Sequence, residues 1–386
     1  QAGETDNDRL AALQAVKGAL TLGQGAQAVV LDQATGDQKG NDNTIGVSLS
    51  YGSQSSKSTQ YSEQNTAQGS TLNAGRDLSV IATGSGARGT DGDLTVEGSQ
   101  LKAGNDITLA ANRDLYLRSA QNTQLLDGKN ESKGGSVGVG IGVGSGGFGL
   151  NISASVNRGK GNESGNGTTH SETTVDAGRQ VNLLTGRDAT LTGAQVSGET
   201  VKADIGRNLT LTSEQDSDRY DSKQQNASAG GSFTFGSMSG SASVNYSRDK
   251  MTSDYASVKE QTGIFAGSGG VDITVGDHTQ LDGAVIASTA EADRNRLDTG
   301  TLGWRDIHNT AEYEVEHQSV GISTGGSIAG QFAGNMASNL LAGADSSGSA
   351  EGTTHAAVGE GTITVHDGAN QTQDITTLSR DTENAN

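Results

Sequence analysis

The chain has no cysteine, no proline and few aromatics: one Trp, seven Tyr and five Phe among 386 residues. Without Cys there is no disulfide framework, no thiolate metal site and no thiol nucleophile. Average usage would place about 19 prolines in a chain of this length. Their absence removes slow X-Pro isomerisation, which is compatible with export as an unfolded chain. Cations are scarce as well, with 26 Lys and Arg against 45 Asp and Glu, a net charge of −19 and a pI near 4.6. That balance excludes nucleic-acid binding through a basic surface and favours a soluble monomer. No run approaches the roughly 18 apolar residues of a transmembrane helix. The first residue is Gln1 rather than Met, no signal peptide precedes it, and the chain reads as an internal piece of a longer protein.

Glycine is abundant, at 58 residues. One pattern recurs: Gly, two polar residues, then aliphatic–polar–aliphatic. It runs as Gly75-Arg76-Asp77-Leu78-Ser79-Val80 and again at 104–109, 178–183, 186–191 and 206–211. Residues 112–117 carry it with Asn first; 270–275 is a looser copy and 361–365 a shorter one. Gly accepts positive φ and Asp or Asn bonds back to its own backbone, so each copy reads as a turn followed by a strand. The alternation buries one face of that strand. Ala189 to Leu209 spans 20 residues and Leu78 to Leu94 spans 16, spacings that suit the coils of a parallel β-helix. A coil cannot bury its own apolar face, but stacked coils share one narrow core, which explains how few large side chains suffice.

Above this lies a period of about 90 residues. Leu78, Val181, Ile273 and Ile363 are taken to begin corresponding strands, and each is preceded by a Gly/Ser-rich alternating segment. The clearest carries Val137, Val139, Ile141 and Val143, a turn at Gly144-Ser145-Gly146-Gly147, then Phe148, Leu150, Ile152, Ala154 and Val156. It reads as a hairpin. Other copies carry Ile45, Val47, Leu49 and Tyr51; Phe233, Phe235, Ala242, Val244 and Tyr246; and Val320 and Ile322. Polar low-complexity returns follow, such as 158–174 and 247–262. The expected organisation is a helical cap or linker over 1–43, repeat modules over 44–130, 131–222 and 223–314, and a fourth module with the tail over 315–386. The cap is a helix over 5–22, with Thr5 and Asp8 spaced as a capping box, a stripe of Leu10, Leu13, Val16 and Leu20, and Gly23 ending it. Phe332, Met336 and Leu340 fit helix spacing and strand alternation equally.

These coils resemble filamentous-haemagglutinin repeats, as do Gly283-Ala284-Val285-Ile286 and the run from Leu297 through Gly300 and Leu302 to Trp304. The glycine-rich hairpins between coil groups look like the second haemagglutinin-repeat region of CdiA-type effectors of contact-dependent growth inhibition. The resemblance covers roughly 44–365. It implies a right-handed β-helix on a Gram-negative cell surface, exported by an outer-membrane two-partner-secretion transporter acting on other parts of the protein. It also implies a region that engages the target-cell outer membrane and helps a toxin across.

No chemical motif competes with that reading. The stretch 142–147 matches G-x-G-x-x-G, but a strand follows where a dinucleotide site needs a helix. The six histidines (His170, His278, His308, His317, His355 and His366) show no metal-ligand spacing. His170 and His355 end the repeated tetrad Gly-Thr-Thr-His and read as solvated loop residues. Glu214, Asp216, Asp218 and Asp221 are a weak calcium candidate, with a solvated acidic turn preferred. Arg76, Arg179, Arg187 and Arg207 fit stacked turns ion-paired with Asp77 or Asp188 better than a sugar-active site.

The sequence therefore predicts an all-β chain: a parallel β-helix of about ten coils, right-handed as the resemblance implies, with lateral Gly-rich hairpins and a short N-terminal helix. It predicts no catalytic residue, no metal and no cofactor. The candidate functional residues are those of a membrane-facing hairpin: Val137, Val139, Ile141, Val143, Phe148, Leu150, Ile152, Val156, Phe233, Phe235, Val244 and Tyr246. Alternating apolar strands of this kind cross bilayers in barrels, and four modules offer about eight of them. In water the expected arrangement lays the hairpins along the side of the β-helix as an extra sheet, from which they swing out on membrane contact. The alternative function is a passive β-helical adhesin stalk.

Overall fold

The computed structural model describes residues 28–30, 45–144, 147–236, 238–327 and 338–386. No α-helix occurs among the described residues. The helix expected over 5–22 lies outside them, as do Phe332 and Met336.

The short strands form a parallel β-helix with three faces. One coil runs through Gln100–Ala103, Asp106–Ala111 and Leu115–Arg118; the next through Thr173–Ala177, Gln180–Thr185 and Ala189–Thr192. They pair in parallel and in register, Leu101 with Val175, Ile107 with Val181 and Leu115 with Ala189. Stacking like on like builds columns of inward side chains. On one face Val80, Leu109, Leu183, Ala203, Ile273, Leu297 and Ile363 lie in line. Leu117, Leu191, Leu211 and Leu281 do so on another and are fully buried. Each fully buried aliphatic contributes about 1.5–3 kcal/mol, and the columns leave no need for aromatics.

Among the described residues the middle face has seven rungs, against the ten coils expected. At about 4.8 Å per rung the stack rises about 30 Å. The excess arose because the glycine motif occupies two of the three corners of one coil, so that copies eight residues apart, such as 104–109 and 112–117, belong to the same turn. Ala189 and Leu209 are indeed one coil apart. Leu78 and Leu94 are not: they lie on two faces of a single coil. Ile273 and Ile363 stack on Val80, one column on from Leu78 and Val181, because Val271 takes the earlier place.

The corner glycines serve a different purpose from the one expected. Gly104, Gly178, Gly186 and Gly206 do not have positive φ. A Cβ on Gly104 or Gly178 would land on the carbonyl oxygen of Gly75 or Gly104 in the rung beside it, and one on Gly186 or Gly206 on that of Asn112 or Gly186. Close backbone approach is what excludes a side chain here. Beside them run the Asp–Arg pairs. Arg207 grips Asp188 with two bonds of 2.6 and 2.7 Å, and Arg113 grips Asp93 in the same way. Both carboxyls are held below their ordinary range, chiefly by those guanidinium bonds. Arg179 pairs with Asp106. Asp77 makes no such bidentate pair; it accepts from the Asn105 side chain and the Asp106 N–H instead.

At the C-terminal rung the side chains of Gln371 and Gln373 take the place of a neighbouring strand. Each bonds both the N–H and the carbonyl of Leu302 and Trp304, respectively, at 2.7–3.0 Å, closing the open edge of Thr301–Arg305.

Long antiparallel strands leave the helix after every second coil. They are Ala28–Val30 with Ile45–Asn65; Ala120–Gly144 with Gly147–Ser171; Asp216–Phe235 with Ser239–Ser257; and Ile307–Ser327 with Ser338–Thr354. They join edge to edge into one eight-stranded sheet whose first and last strands are each paired on one side only among the described residues. Two coils and two hairpin strands rise by the same roughly 9.6 Å, so coil stack and lateral sheet grow together without accumulating strain. The segments expected as polar returns, 158–174 and 247–262, are mostly the inner halves of these strands: Arg158 to Ser171 and Ser247 to Ser257 are paired residue by residue. The neighbour supplies every ladder bond, so strands with polar residues on both faces still form.

Candidate functional site

The hairpin sheet does not lie along the helix as expected. Its strands pair with one another, and among the described residues no coil strand packs extensively on either face. Its side chains therefore stay exposed. The pairing register shows what each face carries. Leu49, Val139, Ile152 and Phe233 form one row across four strands, and Ile141, Leu150 and Phe235 the next row outward. Tyr51, Val137, Ala154 and Ala242, then Val156, Ala229 and Val244, follow inward on the same face. Val137, Val139, Ile141, Ile152, Val156, Phe235, Val244 and Tyr246 are all more than 40% exposed, while Leu150 and Phe233 are half-buried. Phe233 and Phe235 meet edge to face at 4.7 Å. Val143 and Phe148 pair at the hairpin's outer end, and their side chains lie outside the described residues. The structure thus brings the other ten candidate residues to one face of two hairpins, which Leu49 and Tyr51 extend onto a third.

The opposite face is small and polar. Ser50, Gly138, Ser153, Ser232 and Ser241 make one of its rows. Ser136 bonds Ser155 at 2.6 Å, Asn151 donates to Thr234 at 2.8 Å and Ser232 bonds Ser241 at 2.8 Å. A sheet with aliphatics and aromatics on one side and Gly, Ser and Asn on the other is two-sided in the manner of a barrel wall.

Three residues fix where the hairpins stand: Asn122 and Asn309, which the sequence reading missed, and Asp216, which it named only as part of the acidic cluster. Asn122, Asp216 and Asn309 each sit at the root of an outgoing strand. Each accepts the backbone N–H of the strand that has just returned: Ala67, His170 and Val258, at 2.7–3.0 Å. Asn122 also donates to Ser171 and Asn309 to Thr354, tying each root to its own hairpin partner. They are 94 and 93 residues apart, and that spacing was the available signal.

His170 is held at this node rather than in a solvated loop. Its ring lies 3.0 Å from Asp216 and 3.1 Å from Glu214. His355 sits differently, half-exposed against Asp306 at 2.9 Å. Asp218 and Asp221 point away along the strand, Asp221 toward Arg219. No group of three or more His, Asp or Glu able to hold a metal occurs among the described residues. Glu172 is half-buried at the same node with an unpartnered Oε2. Burial first, then Glu260, Glu214 and Asp216, push its carboxyl up from 4.5 to about 8. The folded chain therefore holds this proton more tightly than the unfolded one. The contribution of this group to stability is full below the ordinary carboxylate range and is lost as pH rises from there through about 8. Glu172→Gln is expected to abolish that loss, stabilising the chain by about 2 kcal/mol at pH 8 once partial exposure is discounted, and by nothing at pH 4. Thermal melting of both proteins across that window checks it; parallel curves would refute it.

Comparison with known proteins fits this architecture. A family model described as hemagglutinin repeat matches residues 49–227 and 222–299. The chain belongs to the hemagglutinin-repeat family. It is 61% identical over its whole length to the 16S rRNA endonuclease CdiA of Enterobacter cloacae, 54% identical over 99% of its length to the tRNA nuclease CdiA of Escherichia coli strain NC101, and 55% identical over its whole length to the deoxyribonuclease CdiA of Yersinia pseudotuberculosis. It spans 11%, 12% and 35% of those proteins, respectively. No solved structure matches it. The named nuclease substrates change from rRNA to tRNA to DNA while this segment stays alike, so it does not specify them. It is a CdiA-type haemagglutinin-repeat region, a non-enzymatic segment of a secreted, cell-surface protein of Gram-negative bacteria.

Proposed function

We propose that this segment engages the target-cell outer membrane through the apolar end of its hairpin sheet, and so assists toxin translocation by a CdiA-like effector. In this reading the coil stack is a rigid spacer, and other parts of the full-length protein supply the toxin and meet the two-partner-secretion transporter. The observation that carries the reading is the one-sided apolar tip. Exposed contiguous apolar patches mark interaction surfaces, and the rows from Ile141 to Val156 extend the apolar band roughly 20 Å along the strands. An apolar band of about 25 Å is what barrel strands present to lipid. The four strands from Ala120–Gly144 to Ser239–Ser257 are paired with a neighbour on both sides, which is the backbone satisfaction that lipid requires.

The test is flotation of the purified chain with outer-membrane vesicles, followed by protease digestion. Co-flotation that survives a carbonate wash, with residues 131–175 protected, is the expected result. A chain that stays at the bottom of the gradient and is cleaved within 131–175 would make the segment a passive stalk.

A further inference from the structure

All nine Lys and Arg residues in the described strands of the hairpin sheet lie on the face that carries the apolar tip. They are Lys57, Lys129, Lys133, Arg158, Lys160, Arg219, Lys223, Arg248 and Lys250. Each is an even number of residues from the apolar position of its own strand, and no register shift interrupts the ladder. Eight of the nine fall in three adjacent rows just inside the apolar band. Lys133 and Arg158 share the row of Tyr246; Lys57, Lys160 and Arg248 the next; Lys129, Lys223 and Lys250 the third. Only Glu131, Glu316 and Asp345 oppose them there. Below this belt the charge reverses, with Asp127, Asp221 and Glu314 in one row and Glu63, Asp254 and Glu312 in the next.

The belt is not spent on internal ion pairs. Arg158 meets Glu131 at 3.4 Å; none of the other seven has a carboxylate within 4 Å among the described residues. Lys57, Lys129, Lys160 and Lys223 line one shallow depression. Tyr246 stands in the first row of the belt, next to the Val244 row, where amphipathic rings sit at a membrane interface, while Tyr51 lies two rows further out inside the apolar band. In a chain of net charge −19, eight cations collected on one side of one sheet are a local inversion of the field. The remainder of the molecule repels an anionic surface; the belt attracts one.

We propose that this belt binds phosphate-bearing lipid headgroups, so that the sheet meets an anionic membrane tip first and with its acidic root held off. The inference rests on the membrane reading above and adds the lipid chemistry and the docking depth. Each lysine near an anionic lipid surface strengthens binding by roughly fivefold. The experiment is co-sedimentation of the full chain with vesicles of phosphatidylcholine alone, and with vesicles in which phosphatidylglycerol replaces part of it. The variants are Lys129→Gln with Lys160→Gln and Lys223→Gln, and a control Lys202→Gln on the coil stack. The unmodified chain is expected to prefer the phosphatidylglycerol vesicles, and the triple variant to lose about a hundredfold in affinity for them with an unchanged melting temperature. The control is expected to lose nothing, and the preference to shrink as salt rises. Equal binding of both vesicles by both proteins would overturn the belt and leave the apolar tip standing. Binding to neither would overturn the membrane reading together with it. Displacement from vesicles by inorganic phosphate at constant ionic strength would reassign the belt to a free anion.

Discussion

Gly186→Ala is expected to unfold the middle of the β-helix. A methyl there meets the Asn112 carbonyl oxygen in one rung and stands 2.8 Å from the Gly89 nitrogen. Both are backbone, and both rungs are pinned by parallel ladders on either side of the corner, so nothing nearby is the free end of a flexible side chain that can turn away. The rungs must spread, at a cost of about 3 kcal/mol, or roughly 4 °C in melting temperature for a chain of 386 residues. Gly75→Ala is the matched control. It stands at the corresponding place in another corner, at the open end of the stack, and a methyl there meets nothing within 4 Å. It is expected to be neutral. Because each rung touches only its neighbours, hydrogen exchange should locate the damage in the rungs of Asn112 and Gly186 and leave Thr301–Arg305 protected. Equal melting temperatures for the two variants would mean that the glycines are kept for their turns and not for their closeness.

That distinction marks the limit of what the sequence showed. Alternating Leu, Val and Thr after each Gly named the buried face, because burial has a period of two along a strand. It could not say that two corners of one turn carry the same motif, and the coil count was too high for that reason. Nor could it separate a glycine needed for φ, such as Gly193 at +61° or Gly283 at +55°, from one needed for contact across rungs. The inner hairpin strands were read as loops because stretches such as Asn162 to Thr169 alternate nothing: their neighbours in the sheet, not burial, make them strands. The root residues Asn122, Asp216 and Asn309 carry no motif beyond their spacing. The lysine belt was visible in principle, since Lys129, Lys133, Val137 and Val139 share one parity. Its meaning needed the register that sets five strands side by side.

The second large effect is expected at the apolar tip. Val139→Asp with Ile141→Asp places two carboxylates in adjacent rows of the exposed face, beside Leu49, Ile152 and Leu150. Both native side chains are 46% exposed in the folded chain, so little burial is lost in water and the melting temperature should move by no more than a degree or two. At a membrane the balance differs. Each carboxylate taken into the hydrocarbon costs about 2 kcal/mol, and each lost aliphatic removes about 1 kcal/mol of favourable transfer. Together that is about 6 kcal/mol, more than a ten-thousandfold loss, and co-flotation with outer-membrane vesicles should vanish. Ser153→Asp supplies the contrast. It faces Gly138 and Ser232 on the polar side of the same hairpins and should leave flotation intact. Undiminished flotation of the double variant would exclude the tip as the membrane contact. Loss in Ser153→Asp as well would show that both faces of the sheet enter the lipid, which a wall with a polar lining does not do.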